Sequence, residues 1–138
     1  TRAALDKPGD HVVLPEIVSK EPLGPLVRHG DDQWADIARW TLNAMVAAEE
    51  MGITSKNAKA MAKGTKNPEI NRLLGKEKLQ GREALGLSAD WALNVISQVG
   101  NYGEVFEANL GPKTALGLQR GNNAQWKNGG LLYAPPFR

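Results

Sequence analysis

The stretch GNYGEVFEANLG, residues 100–111, is the part of the sequence that decides the fold. Two glycines three residues apart suit a phosphate-binding loop, but such a loop follows a strand and turns free backbone amides toward its ligand. Counted from Trp91, the apolar residues on both sides of Gly100 keep within an arc of about 100° at 3.6 residues per turn. These residues are Ala92, Val95, Val99, Tyr102, Phe106 and Leu110. The pattern predicts a helix, or two helices that meet at Gly100, and it argues against nucleotide binding here.

The strongest helical pattern lies upstream, in DDQWADIARWTLNAMVAAEEMG, residues 31–52. Either Asp31 or Asp32 suits the N-cap, and Gly52 suits the end of the helix. Helical spacing predicts one buried stripe made of Trp34, Ile37, Ala38, Thr41, Ala44, Met45, Ala48 and Met51. The adjacent carboxylates of Glu49 and Glu50 point to different sides of such a helix, so they do not form an acid–base pair.

Shorter elements surround these helices. HVVLPEIV, residues 11–18, predicts a short strand broken by a proline, and PLGPLVR, residues 22–28, predicts a second extended segment. Residues 54–64 and 67–74 each predict a short helix, the second with a cap, a first-turn proline and a first-turn acid.

The C-terminal part predicts one more helix over residues 114–126. The tail LLYAPPFR, residues 131–138, carries two consecutive prolines, which predict an extended segment. We expect Tyr133 and Phe137 to anchor that segment on another surface.

Most catalytic chemistry has no support in this sequence. The 138 residues contain no cysteine and only two histidines, His11 and His29, which lie far apart, so we expect no metal site. None of the four serines lies in a G-x-S-x-G motif, which argues against a hydrolase triad. We therefore expect no enzyme activity, no catalytic residue and no cofactor.

Charge offers one alternative function. The chain has 17 basic and 15 acidic residues, but residues 56–82 hold eight basic residues against two acidic ones. Lys56, Lys59, Lys63 and Lys66 follow helical spacing, which a helical nucleic-acid-binding module would use. A solvated helix face explains the same pattern, and residues 56–82 contain no aromatic residue on which a base could stack. We favour the solvated face and expect no nucleic-acid partner.

Three blocks resemble a known family: VLPEIVSKEPLGPLVRHGDDQWADIARWTLNAMVAAEEMGITS, residues 13–55, ADWALNVISQVGNYGEVFEANLG, residues 89–111, and ALGLQRGNNAQWKNGGLLYAPPFR, residues 115–138. They are similar to the C-terminal part of general L-amino-acid-binding proteins, the periplasmic substrate receptors of polar amino-acid ABC importers. GNYGEVFE and GGLLYAPPFR are the most specific parts of this resemblance, which covers essentially the whole chain. Asn122 and Gln125 depart from it, because we expect a more apolar last helix in the family.

The resemblance implies an α/β fold of the type II periplasmic-binding-protein class, of which this chain is a mostly helical C-terminal fragment with about two short strands. Residues 1–20 then end the second lobe with its last strand, and residues 20–26 form the hinge crossover. Residues 27–111 form the C-terminal part of the first lobe. Residues 112–138 form a family-specific extension.

The resemblance also implies a function: non-catalytic capture of an L-amino acid in the periplasm and its delivery to the permease subunits of an ABC importer. The ligand-binding residues of the family precede the stretch seen here, so none is carried onto this chain. Glu21, Pro22 and Gly24 match the hinge. Because the chain begins at Thr1 and two short strands cannot complete the sheet, we expect a fragment that needs its missing N-terminal part or another copy.

Overall fold

The structure, a computed structural model, describes residues 2–16, 18–19, 21–77 and 82–137. Those residues form six α-helices and four short 3₁₀ turns. The helices are α1 (Asp32–Glu50), α2 (Ala58–Gly64), α3 (Pro68–Leu73), α4 (Arg82–Leu85), α5 (Trp91–Val99) and α6 (Tyr102–Asn109). The 3₁₀ turns are Arg2–Ala4, Pro8–Asp10, Gly121–Asn123 and Trp126–Asn128. Among the helices described, none is both long and apolar enough to cross a membrane.

Helix α1 is the longest element, and both of its ends are fixed as the sequence predicts. The Asp31 carboxylate accepts a hydrogen bond from the Trp34 backbone N–H at 3.1 Å, which makes Asp31 the N-cap. At the other end Gly52 has φ +69°, and the N–H groups of Gly52 and Ile53 donate back to the carbonyls of Glu49 and Ala48. This turn satisfies carbonyls that the helix leaves unpaired and directs Ile53 into the core.

The core lies between the second half of α1 and the shorter helices. α1 packs against α5 and α6, and α2 packs against α5. The buried cluster consists of Ala44, Ala47, Ala48, Ile53, Ala58, Ile70, Leu73, Leu74, Trp91, Ala92, Ile96 and Phe137. The alanines of α1 let the neighbouring helices approach closely. Trp91 belongs to this cluster, so it is a core residue as predicted. Trp34 is 55% exposed, so its predicted burial is wrong for this chain.

The stretch at residues 100–111 forms the second of the two predicted arrangements. α5 ends at Val99, Gly100 turns the chain with φ +96°, and α6 begins at Tyr102. A side chain at Gly100 would be strained by this φ, and its Cβ would lie 2.8 Å from that of Glu104. Glycine is thus required by the junction itself, without any ligand.

The predicted strands are not formed. Residues 11–16, 18–19 and 21–28 run without strand pairing, and the described part of the chain contains one isolated bridge, between Gln125 and Leu132. A strand exists only where a neighbouring backbone accepts and donates its hydrogen bonds, and the described residues supply no such neighbour to the N-terminal segment.

The predicted helix over residues 114–126 is also wrong. Gly117 and Gly121 have φ values of +60° and +49°, which a right-handed helix excludes. The segment instead makes turns and bends up to Leu131 and then runs extended, and Phe137 is buried as predicted. Tyr133 is 69% exposed, so its predicted role as an anchor is wrong in this chain.

Replacing Gly75 tests the packing between α3 and the start of α5. Gly75 has φ +84°, and a Cβ there would overlap the backbone carbonyl of Ala89. We expect Gly75→Ala to lower the free energy of unfolding by at least about 2 kcal/mol, because backbone rather than a flexible side chain must move. Urea unfolding followed by circular dichroism measures the change. Gly64→Ala is the control, since that site is open; equal effects at both sites would contradict the prediction.

Candidate functional site

The predicted hinge residues lie in an exposed extended segment that leads into α1. Glu21, Pro22 and Gly24 are all exposed, and the backbone N–H of Leu23 donates to the carbonyl of Glu21 at 2.9 Å. A Cβ at Gly24 would meet nothing within 4 Å. The segment therefore has the conformational freedom that a hinge needs.

Apolar side chains on both sides of the hinge are open to solvent. Six of them are between 70% and 100% exposed: Val12, Val13, Leu14, Val18, Leu23 and Leu26. At the end of the segment, Pro25 and Val27 line a shallow depression with Leu42 of α1. A run of β-branched and leucine side chains without cover is typical of a surface that another part of a protein buries.

A second feature is the polar junction at the start of α6, where Asn101 and Glu104 form a capping box. The Asn101 side chain accepts from the Glu104 backbone N–H, and the Glu104 carboxylate accepts from the Asn101 backbone N–H, both at 2.9 Å. The Asn101 amide also donates to the carbonyl of Ile53 at 2.8 Å, inside the core. This junction therefore binds α6 to the turn that follows α1.

The same Glu104 carboxylate holds Ser55. Its two oxygens accept from the Ser55 backbone N–H at 2.9 Å and from the Ser55 hydroxyl at 2.7 Å. Burial by itself raises the pKa of Glu104, but hydrogen bonds from Asn101 and Ser55, with the positive charge of Lys56, outweigh it and lower the pKa. Glu104 is thus a charged structural group, not a proton donor.

An ion pair lies against the other side of α6. The Arg120 guanidinium donates to both Glu49 carboxylate oxygens, at 2.9 and 3.0 Å, and lies over the rings of Tyr102 and Phe106. A Cβ at Gly103 would lie 2.9 Å from this guanidinium, so glycine makes the close approach possible. Sequence reasoning missed this pair, because the two residues are 71 positions apart.

The two glutamates at the end of α1 do act separately, as predicted. Glu49 binds Arg120, whereas the Glu50 carboxylate accepts from the indole N–H of Trp126. The Lys127 ammonium donates to the Glu50 carbonyl at 2.7 Å. Both carboxylates hold the C-terminal segment, and within the described residues no group of three or more potential ligands is placed to hold a metal ion.

The basic segment does not form the single stripe that the alternative function requires. Helix α2 covers only Ala58–Gly64, so Lys56 precedes it and Lys66 follows it. All four lysines are exposed. This arrangement agrees with a solvated surface.

No family model matches the chain. It is 59% identical over all 138 residues to the glutamate/glutamine/aspartate/asparagine-binding protein BztA of Rhodobacter capsulatus. It is 54% identical over 99% of its length to the general L-amino acid-binding periplasmic protein AapJ of Rhizobium johnstonii. The chain spans 40% of the length of each of these relatives.

A solved structure gives the same result for the fold. The chain matches an ABC transporter periplasmic binding protein from Brucella ovis, solved with glutathione bound, at a TM-score of 0.90 and 54% identity. The match covers 99% of this chain and 43% of that protein. The homologues of the chain are thus amino-acid ABC transporter binding proteins, and the chain corresponds to their C-terminal part. The predicted family resemblance and fold class are confirmed, apart from the two strands.

Replacing Glu104 tests the polar junction. We expect Glu104→Gln to lower the free energy of unfolding at pH 7 by about 1–3 kcal/mol, because hydrogen bonds to a charged acceptor are lost. Since the pKa of Glu104 is lowered in the folded chain, the stabilisation is complete above the unfolded value near 4.5 and disappears as the pH falls through the lower folded value. Urea unfolding of both proteins from pH 7 to pH 3 checks this.

The control is Glu107→Gln, one turn further along α6, where the carboxylate is exposed. We expect that change to have little effect at either pH. A difference between wild type and Glu104→Gln that stays constant over the whole pH range would contradict the assigned role.

Proposed function

We propose that the chain is the C-terminal part of the substrate-binding component of an ABC importer for L-amino acids. It works in the periplasm, where it captures the amino acid without chemical change and delivers it to the permease subunits. The observation that carries this proposal is the match along the entire chain, in both sequence and fold, to amino-acid ABC transporter binding proteins.

A non-catalytic role is supported by what the polar groups do. The most elaborate polar cluster in the described residues, around Asn101 and Glu104, is engaged in internal hydrogen bonds that join helices. The ion pair of Glu49 and Arg120 is likewise internal. A catalytic site needs such groups to be directed at a substrate.

The amino-acid site lies in the part of the longer polypeptide that precedes this chain. The exposed apolar residues of segment 11–18 then form the last strand of the second lobe, with residues 1–20 as the end of that lobe. Residues 20–26 cross to the first lobe, whose C-terminal part is residues 27–111, and residues 112–138 form the extension. Burial of a valine or leucine side chain that is now exposed is worth about 1.5–3 kcal/mol, which gives the sheet a strong reason to form.

An amino-acid titration tests the function. We expect the longer polypeptide that contains this chain to bind L-amino acids in isothermal titration calorimetry, tested with all twenty in turn. The 138-residue chain by itself is expected to bind none, because the ligand-contacting residues lie outside it. Binding by neither protein would overturn the proposal, and binding by the short chain would overturn the placement of the site.

Hinge closure gives a second test, in the longer polypeptide. We assign the hinge to Glu21, Pro22 and Gly24, and lobes that close on a ligand rotate about such a segment. Pro22→Gly gives the backbone of the open state more conformational entropy, and closure of the lobes must remove it. We therefore expect amino-acid affinity to fall about two- to fivefold.

Pro8→Gly, in an exposed 3₁₀ turn outside the crossover, is the matched control and should leave the affinity unchanged. Small-angle X-ray scattering should still show compaction when ligand is added to either variant. Equal affinities for wild type and Pro22→Gly would contradict the hinge assignment and leave the amino-acid-binding function standing.

A further inference from the structure

The C-terminal segment and helix α3 enclose a cleft of about 500 Å³ that the functions above do not use. Its lining includes Trp126, Lys127 and Glu50 and, from α3, Glu69 and Arg72. Phe137, which is buried and packs edge-on against Trp40, is also part of the lining. Its volume lies within the range of small-molecule sites in proteins, about 300–1,000 Å³.

Trp126 is held in place although it contributes little to the core. Its side chain is among the exposed large apolar groups, at 60%, yet its one donor, the indole N–H, is bound to the Glu50 carboxylate. The backbone of Trp126 is also fixed, because its amide N–H donates to the Leu132 carbonyl at 2.9 Å. With the N–H engaged, the open part of the residue is its aromatic surface.

The charged groups of the cleft differ in their hydrogen-bond and ion-pair partners. The Arg72 guanidinium donates through Nε to the Phe137 carbonyl at 3.0 Å, and the Lys127 ammonium donates to the Glu50 carbonyl. Both cations are thus bound to backbone oxygens, and the Arg72 guanidinium also pairs with the Glu77 carboxylate at 4.0 Å. The Glu69 carboxylate is exposed and has no ion pair or hydrogen bond with the described residues. An oriented indole and an available carboxylate are the groups that bind an organic cation.

We propose that this cleft is a binding site for an alkylammonium or alkylguanidinium group, which stacks on Trp126 and pairs with Glu69. The inference does not depend on the proposed transport function. The cation can belong to a free small molecule or to a lysine or arginine side chain of a peptide, since the chemistry that the cleft recognises is the same.

Nuclear magnetic resonance of the ¹⁵N-labelled 138-residue chain tests this proposal through its tryptophan indole signals. Butylammonium and butylguanidinium are the probes, and butanol and butanoate are the neutral and anionic controls. The Trp91 signal reports that the core is folded, and Trp34, which is exposed at the other end of the chain, is the internal control.

We expect both cations to shift the Trp126 signal saturably at millimolar concentration, with no comparable shift of Trp34 or with either control compound. Glu69→Gln should weaken binding about two- to fivefold, as expected for loss of an exposed ion pair. Glu16→Gln, which removes an exposed carboxylate elsewhere, should have no effect. A blocked Ala-Lys-Ala peptide that binds more tightly than butylammonium indicates a peptide source, and equal affinity indicates a free cation.

Three results would overturn the proposal. The first is the absence of a saturable shift up to about 50 mM cation, which is well above the expected millimolar dissociation constant. The second is an equal shift with butanol, and the third is an equal effect of Glu69→Gln and Glu16→Gln. If Glu69→Gln disturbs the Trp91 signal, Glu69→Asp provides the comparison. It keeps the charge and the first-turn acid of α3 but shortens the side chain, so weaker binding is again the expected result.

Discussion

The last turn of helix α1 is the constraint on which the rest of the structure depends. The turn at Gly52 places the Ile53 carbonyl where the buried Asn101 amide can bind it, and so joins α1 to α6. Glu49 and Glu50, one after the other, hold Arg120 and Trp126 of the C-terminal segment. The last turn of α1 therefore positions both α6 and the C-terminal segment.

Glycine and alanine make this arrangement possible. The alanines of α1 bring the helices close together, and Gly103 leaves room for the Arg120 guanidinium between α1 and α6. Buried polar side chains such as that of Asn101 find partners at these short distances. Gln125 is an example, because its amide is buried and donates to the Val46 carbonyl of α1 at 3.4 Å. Gln125 thus acts as a bridge between the C-terminal segment and α1.

The two halves of the chain differ in how completely their side chains pack and pair within the chain. From the middle of α1 onward, the core side chains pack against one another, and the carboxylates of Glu49, Glu50 and Glu104 are paired within the chain. In the N-terminal segment and at Trp34, near the start of α1, apolar side chains are exposed although the sequence pattern predicts their burial. This division agrees with a chain that corresponds to about 40% of its relatives' length.

Much of the local structure was determined by the sequence alone. An aspartate cap at Asp31 or Asp32, the Gly52 turn, helical structure on both sides of Gly100 and the burial of Trp91 and Phe137 follow from spacing and from the properties of single residues. The structure decided between the two aspartates and between one helix and two. Strand formation in residues 11–18 and the conformation of residues 114–126 did not follow, because the first needs a partner backbone and the second is set by the φ of Gly117 and Gly121. The pairing of Glu49 with Arg120, the cluster around Glu104 and the cleft beside Trp126 were decided only by the tertiary structure, since each joins residues far apart in the chain and no local pattern encodes that proximity.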